Sequence, residues 1–389
     1  MARSAEAKNR IKDDERWMRR ALRLAQNSYA TPNPGVGCVL VRQDMVVGEG
    51  WTQLVGQAHA EVMALRAAGE QAAGATAYVT LEPCCHWGRT PPCTEALIAA
   101  RVVRVVAATT DKNPRVAGQG IAQLRAAGID VTVGVLERKA GDSNEAFFHF
   151  QEKGTPLVTL KAAMSLDGKI ATRTGSSQWI TACRAREYVH RLRAQSGAVM
   201  VGIGTLLADD AQLTARLPNG PEGKAPRQPL RIIVDSQLRT PPDCRAVRAL
   251  RSVPETEGIT APLLIAATME ADTVQENILR TAGAEVVRLP ADSAGHVDLK
   301  ALLTLLAKRR IISVLVEGGG TLNASLLENG LADKALFFIA PKFVGGQDAP
   351  TPIEGTGVAQ MADAVPLSDL RIRRFGPDIA IEGHIQKGF

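Results

Sequence analysis

Between His59 and Cys93 three potential metal donors and one carboxylate follow in a fixed order, and they dictate what the surrounding chain must build. His59-Ala60-Glu61 opens a helix-like apolar run with Val62, Met63 and Leu65. Glu82-Pro83-Cys84-Cys85-His86-Trp87-Gly88-Arg89-Thr90-Pro91-Pro92-Cys93 follows a strand-like stretch at 77–81. One imidazole and two thiolates suit zinc, and three protein ligands leave the fourth position to water. Glu61 stands close enough to His59 to handle that water's proton without binding the metal. We read His59, Cys84 and Cys93 as the ligands, because adjacent cysteines rarely both point at one ion and Cys84 ends the strand. A purely structural zinc is the bland alternative, but such a site has no use for Glu61.

His-x-Glu…Pro-Cys…Cys is the order of hydrolytic base deaminases, in which zinc supplies hydroxide and the glutamate shuttles protons. The loop between Cys84 and Cys93 is long and carries His86 and Arg89, so it reads as part of a substrate pocket. Binding of a DNA or RNA substrate is not expected. Aromatic residues make up 4% of the chain and the net charge is only +6, with no basic stripe or stacking platform. Six cysteines are too few for a disulfide framework in 389 residues, and their clustering by a histidine reads as metal binding in a reducing compartment. Without a membrane-length apolar run or a signal-like start, cytoplasm is the expected location.

A chain of this length predicts two domains, and the polar run at 151–156 divides them into 1–153 and 154–389. Residues before Asp13 read as a mobile tail, with Asp13 or Asp14 capping a helix through Trp17, Ala21 and Leu24. Strands at 38–41, 102–109 and 131–135 alternate with helices at 94–100, 121–127 and 143–150. That alternation predicts an α/β sheet with ligands at its strand ends. Asn33, before the first strand, is either a turn residue or a reader of a base edge. Asp111 and Asn113, at another strand end, are recognition candidates or plain turn residues. In the second half, strands are predicted at 157–161, 198–202, 231–235, 263–267, 311–316, 335–340, 370–374 and 379–385. Helices fall at 187–193, 299–306 and 322–327. Val316 runs into Glu317-Gly318-Gly319-Gly320-Thr321 and the last of these helices, an arrangement that offers backbone N–H groups to phosphate. The half has no nucleophile–base pair, so its chemistry must come from a bound cofactor. Asp167 is a turn carboxylate or a catalytic acid.

These motifs, with Ser165-Leu166-Asp167-Gly168, Ser177-Gln178-Trp179-Ile180, Arg193-Ala194-Gln195, Leu207-Ala208-Asp209-Asp210 and Val316-Glu317-Gly318-Gly319, resemble the bifunctional riboflavin biosynthesis deaminase–reductases from about Asp13 to Asp378. The resemblance implies a cytidine-deaminase-like three-layer domain followed by a dihydrofolate-reductase-like domain. It implies deamination of 2,5-diamino-6-ribosylamino-4(3H)-pyrimidinone 5′-phosphate, then NADPH-dependent reduction of the ribosyl chain to ribityl. Carried over by position, His59, Cys84 and Cys93 would hold zinc and Glu61 would be the proton shuttle. Asn33, His86, Arg89, Asp111 and Asn113 would line the deaminase pocket, with Arg89 facing the substrate phosphate. Ala163, Trp179, Thr205, Asp209, Ser236 and the run Gly319, Gly320, Thr321, Leu322, Asn323, Ala324 and Ser325 fall at cofactor positions. Ser177, Arg193, Leu213, Arg216 and Glu317 fall at substrate positions. Cys85 and Trp87 depart from the residues many relatives carry. The expected partners are the phosphorylated pyrimidine and other copies of the chain, as a dimer or tetramer, with neither nucleic acid nor membrane.

Overall fold

A computed structural model describes residues 2–113, 116–217, 227–250 and 262–387. The chain forms two compact units, Met1–Gly154 and Thr155–Phe389. Pro114, which closes the predicted Asp111 turn, and part of the variable stretch before 263 lie outside the described residues.

The first unit opens with α1 (Ala2–Ala25), followed by β1 (Gly37–Arg42) and β2 (Met45–Trp51). Then come α2 (Ala60–Ala68), β3 (Thr76–Val79), α3 (Cys93–Ala99), β4 (Arg104–Ala107), α4 (Gln119–Ala126), β5 (Asp130–Val133), α5 (Glu137–Ser143) and α6 (Glu145–Lys153). The strand order is β2-β1-β3-β4-β5; β1 is antiparallel to both its neighbours, and β3, β4 and β5 run parallel. Every β1 residue from Gly37 to Val41 is buried, as in a strand covered on both faces. Trp17, Met18, Ala21 and Leu22 of α1 pack with Val39, Val41, Tyr78 and Val106 on one of them.

Three expectations fail here. The helix begins at Ala2, not Asp13, because the alanine and charged residues of that stretch are sound helix formers. Asp14 is therefore no cap: inside the helix it takes a bidentate pair from Arg104, both contacts at 2.7 Å, and a 3.1 Å bond from Tyr78 Oη. Strand β2 was not anticipated, since Gly48 and Gly50 weaken its strand signal. Gln43 and Asp44 both take positive φ (51° and 57°), the two-residue hairpin turn that joins β1 to β2. The two glycines are required by α2: a Cβ at Gly48 would lie 2.2 Å from the Ala64 carbonyl oxygen, and one at Gly50 2.4 Å from that of Ala60. The predicted helix at 143–150 is really α5 and α6, divided at Asn144.

The second unit runs β6 (Leu157–Ser165), α7 (Cys183–Gln195), β7 (Ala198–Gly202), α8 (Ile203–Asp209), β8 (Leu230–Val234), α9 (Arg245–Arg248), β9 (Leu263–Thr268), α10 (Thr273–Thr281) and β10 (Glu285–Leu289). It ends with α11 (Leu299–Lys308), β11 (Ser313–Val316), α12 (Gly320–Glu328), β12 (Lys334–Ala340), β13 (Leu367–Phe375) and β14 (Asp378–Ile385). The sheet order is β10-β9-β8-β7-β11-β6-β12-β14-β13, parallel as far as β12 and antiparallel beyond it. Residues alternate between two cores. Ala198 and Met200 pack with Leu302 and Leu306, whereas Val199 and Val201 pack with Leu206 and Leu279. Two buried faces explain the continuously apolar strands. Of these elements α8, α9, α10 and β10 were not anticipated.

Candidate active sites

In the first unit, His59 is the N-cap of α2, Cys93 is the first residue of α3, and Cys84 lies in the loop leaving β3. The side-chain donor atoms of these three residues all lie within 4.8 Å of one another. His59 Nδ1 is 3.6 Å from Cys84 Sγ and 3.4 Å from Cys93 Sγ. Zinc bonds of about 2.0 and 2.3 Å at a tetrahedral angle separate N and S donors by about 3.6 Å, so this donor set fits the ion. Thr90 Oγ1 stands 3.4 Å from His59 Nε2, where it can fix the ring, and the Cys93 N–H donates to Cys84 Sγ at 3.4 Å. Cys85 lies outside the triad.

Charges in this cluster are strongly biased. Glu61 is 4% exposed; burial, then the neighbouring Cys84, pushes its carboxyl up to about 7. Hydrogen bonding from Cys93 and His59 overcomes burial at Cys84 and holds its thiol down at about 4. A thiolate is thus ready for the metal, beside a buried carboxyl able to exchange a proton near neutrality.

The pocket candidates are spread around this centre. Burial raises the Asp111 carboxyl to about 6, with Glu82 and Cys84 adding to the rise. Asp111 Oδ1 accepts the Asn113 N–H at 2.8 Å, so the two form one turn. His86 is half-buried and its Nδ1 has no hydrogen-bond partner among the described residues. Arg89 is exposed on the same loop, and Asn33 is half-buried in the turn before β1, its N–H bonded to the Ala30 carbonyl. Glu82 escaped sequence reasoning: it is 3% exposed and accepts three backbone N–H groups.

In the second unit a cavity of about 1080 Å³ opens at the strand ends beside α12. It is lined by Ala163, Trp179, Thr205, Asp209, Ser236, Gly319, Gly320, Thr321, Leu322 and Ser325, and also by Ser177, Arg193, Leu213, Arg216 and Glu317. Two candidates fall away from it. Asn323 is wholly buried and donates to the Pro352 carbonyl at 2.9 Å, and Ala324 is 1% exposed. A helix turns each successive side chain by about 100°, so an unbroken run cannot all face one cavity.

In the sequence Arg193 reads as pointing away from Val189 and Leu192, the apolar side of its helix. Instead its Nε and Nη2 donate to Glu317 at 2.6 and 2.9 Å, and Lys161 Nζ reaches the same carboxylate at 3.4 Å. Burial would raise the Glu317 carboxyl, but Arg193 and Lys161 more than reverse this and hold it at about 2. Ser177 Oγ donates to Asp209 Oδ1 at 2.5 Å. His190 also lines the cavity and was missed; burial, with Arg193 and Arg216 beside it, lowers its imidazole to about 4. Asp167 is the turn carboxylate of the two readings: it accepts from Ser165 Oγ at 2.5 Å and from the Gly345 N–H at 2.7 Å.

Comparison with known proteins matches both halves. Residues 11–109 fit the cytidine and deoxycytidylate deaminase zinc-binding region, and residues 156–381 fit the RibD C-terminal domain. The riboflavin biosynthesis protein RibD of Escherichia coli (strain K12) is 45% identical over 377 residues, covering 95% of this chain and 98% of that protein. The chain belongs to the RibD family. Among solved structures, Acinetobacter baumannii RibD (form 1) is similar with a TM-score of 0.81 at 39% identity, covering 97% of this chain and 100% of that one. The Thermotoga maritima diaminohydroxyphosphoribosylaminopyrimidine deaminase/5-amino-6-(5-phosphoribosylamino)uracil reductase has a TM-score of 0.78 at 32% identity, with the same coverage. Membership makes the chain a bifunctional enzyme of riboflavin biosynthesis that acts on a small molecule. Its cytidine-deaminase-like half carries a zinc-binding region, and its dihydrofolate-reductase-like half is a reductase. Among the described residues no helix is long and apolar enough to cross a membrane.

Proposed function

We propose that the first unit deaminates 2,5-diamino-6-ribosylamino-4(3H)-pyrimidinone 5′-phosphate. The second unit then reduces the ribosyl chain of the resulting uracil to give 5-amino-6-(5-phosphoribitylamino)uracil. The observation that carries this reading is the convergence of His59, Cys84 and Cys93 beside buried Glu61. Bound zinc supplies an activated water at neutral pH. His59 Nδ1 and the two thiolates would hold the ion, and Thr90 would orient the ring. Buried Glu61 would carry a proton at its carboxylate from the attacking water to the departing amine. Asp111, Asn113, His86 and Asn33 orient the pyrimidine, and Arg89 meets its phosphate.

In the reductase, bound NADPH supplies the hydride. The backbone N–H groups opening α12 at Gly319–Leu322 would receive its phosphates, and Ala163, Trp179, Thr205, Asp209, Ser236 and Ser325 would complete its wall. Ser177, Arg193, Leu213 and Arg216 hold the substrate, with Glu317 keeping Arg193 in place. Hydride transfer needs the donor carbon held against the acceptor more than it needs an acid. All six cysteines are free thiols, which suits a cytoplasmic enzyme. A homo-oligomer is the proposed assembly, and nucleic acid has no part in it.

The test is a coupled assay of Glu61→Gln. Ammonia release should vanish while zinc content, and NADPH oxidation on supplied uracil substrate, stay at wild-type levels. Loss of both activities with the fold intact would refute two independent sites.

A further inference from the structure

The buried carboxylate of Glu82 is committed to backbone far along the chain. Oε2 accepts the N–H groups of Asp111 (3.0 Å) and Gly118 (2.9 Å), and Oε1 accepts that of Ile121 (3.1 Å). The Glu82 N–H in turn donates to the Thr109 carbonyl at 3.0 Å. Contact is equally close at the next residue: a Cβ on Gly120 would lie 2.1 Å from the Pro83 carbonyl oxygen. Glu82-Pro83 leads directly into Cys84. One carboxylate therefore ties the metal loop to the segment that carries Asp111 and Asn113.

We infer that Glu82 is a positioning residue for deamination, setting the Asp111–Asn113 wall of the pocket against the metal loop. This rests on the proposed reading of Asp111 and Asn113 as substrate contacts. Three N–H donors converging on one side chain require a group that only accepts. Glutamine at this position would turn an NH2 toward one of them and leave a buried donor unpaired. The aspartate variant keeps the charge but cannot span the same distance.

The test uses the full-length, zinc-loaded chain. Glu82→Gln should keep its zinc and its NADPH oxidation on uracil substrate. Its deaminase KM should rise about tenfold, the size of one charge-assisted hydrogen bond, while kcat changes little. Amide hydrogen exchange should quicken at Asp111, Gly118 and Ile121. Glu82→Asp should show the same pattern more weakly, and it carries the test if the glutamine variant does not fold. In an Asp111→Ala background, Glu82→Gln should add little to KM, since both act through one contact. Unchanged exchange at the three amides would overturn the inference, as would a fall in kcat at constant KM or activity lost in step with zinc. A wild-type KM in Asp111→Ala alone would instead remove the pocket reading of Asp111. The exchange rates would then judge Glu82 separately.

Discussion

Substituting Gly50 with alanine tests how the proposed zinc ligand His59 and the proposed proton shuttle Glu61 are held in place. The added Cβ would sit 2.4 Å from the Ala60 carbonyl oxygen, 2.5 Å from Met63 Cβ and 2.6 Å from the Ala64 N. Ordinary contact begins near 3.4 Å, so α2 must retreat from β2 by about 1 Å. Ala60 lies between His59 and Glu61, and that retreat moves both functional side chains together. Overpacking of this kind costs ~1–3 kcal/mol of stability, and a catalytic misplacement of about 1 Å costs on the order of 100-fold in rate. Zinc content, ammonia release and NADPH oxidation on uracil substrate would be followed in the same preparation. Gly50→Ala should lose ~100-fold in deamination with reduction untouched. Gly141→Ala is the control. That helical glycine has nothing within 4 Å of its added methyl group, so the change should be neutral or slightly stabilising. Full deaminase activity at unchanged stability in Gly50→Ala would refute the argument that strand–helix backbone contact sets the site.

Two further outcomes follow from the charges. Cys84→Ser should lose zinc and Cys85→Ser should keep it, as judged by metal analysis of the purified chain; zinc lost only from the Cys85 variant would overturn the ligand assignment. The Glu317 carboxyl is lowered on folding from 4.5 to about 2, so its stabilising contribution is complete above pH 4.5 and disappears as pH falls toward 2. The size is roughly 3 kcal/mol. Unfolding measured across that range should lose stability more steeply in the wild type than in Glu317→Gln, and equal slopes would contradict the buried pairing with Arg193.

The candidate metal centre was legible because its donors lie close in sequence, on the helix–strand–loop–helix stretch that runs from the start of α2 to the start of α3. The α/β sheets were legible too, since apolar runs such as Val199–Val201 and Val314–Val316 are buried on both faces. What was lost depended on contacts across the fold. Gly48 and Gly50 look like strand breakers until α2 is laid against them. Asp14 looks like a cap until Arg104, 90 residues further on, is seen to clasp it. Glu82 gave no signal, because its partners are backbone N–H groups 29 to 39 residues away. Asn323 and Ala324 were carried along within a run whose helical rotation turns them from the cavity. Arg193 reads as a surface charge on α7, and only the arrival of β11 brings Glu317 to it.

The division at Gly154 has a consequence for how the two activities are supplied. The metal triad is drawn from residues 59–93, and the cavity wall from residues 161–354. Among the described residues each set is drawn from one unit alone. The peptide link at Gly154 supplies no residue to either set. It acts on copy number: each round of translation delivers one deaminase and one reductase, so the enzyme that makes the uracil intermediate is never produced without the enzyme that consumes it.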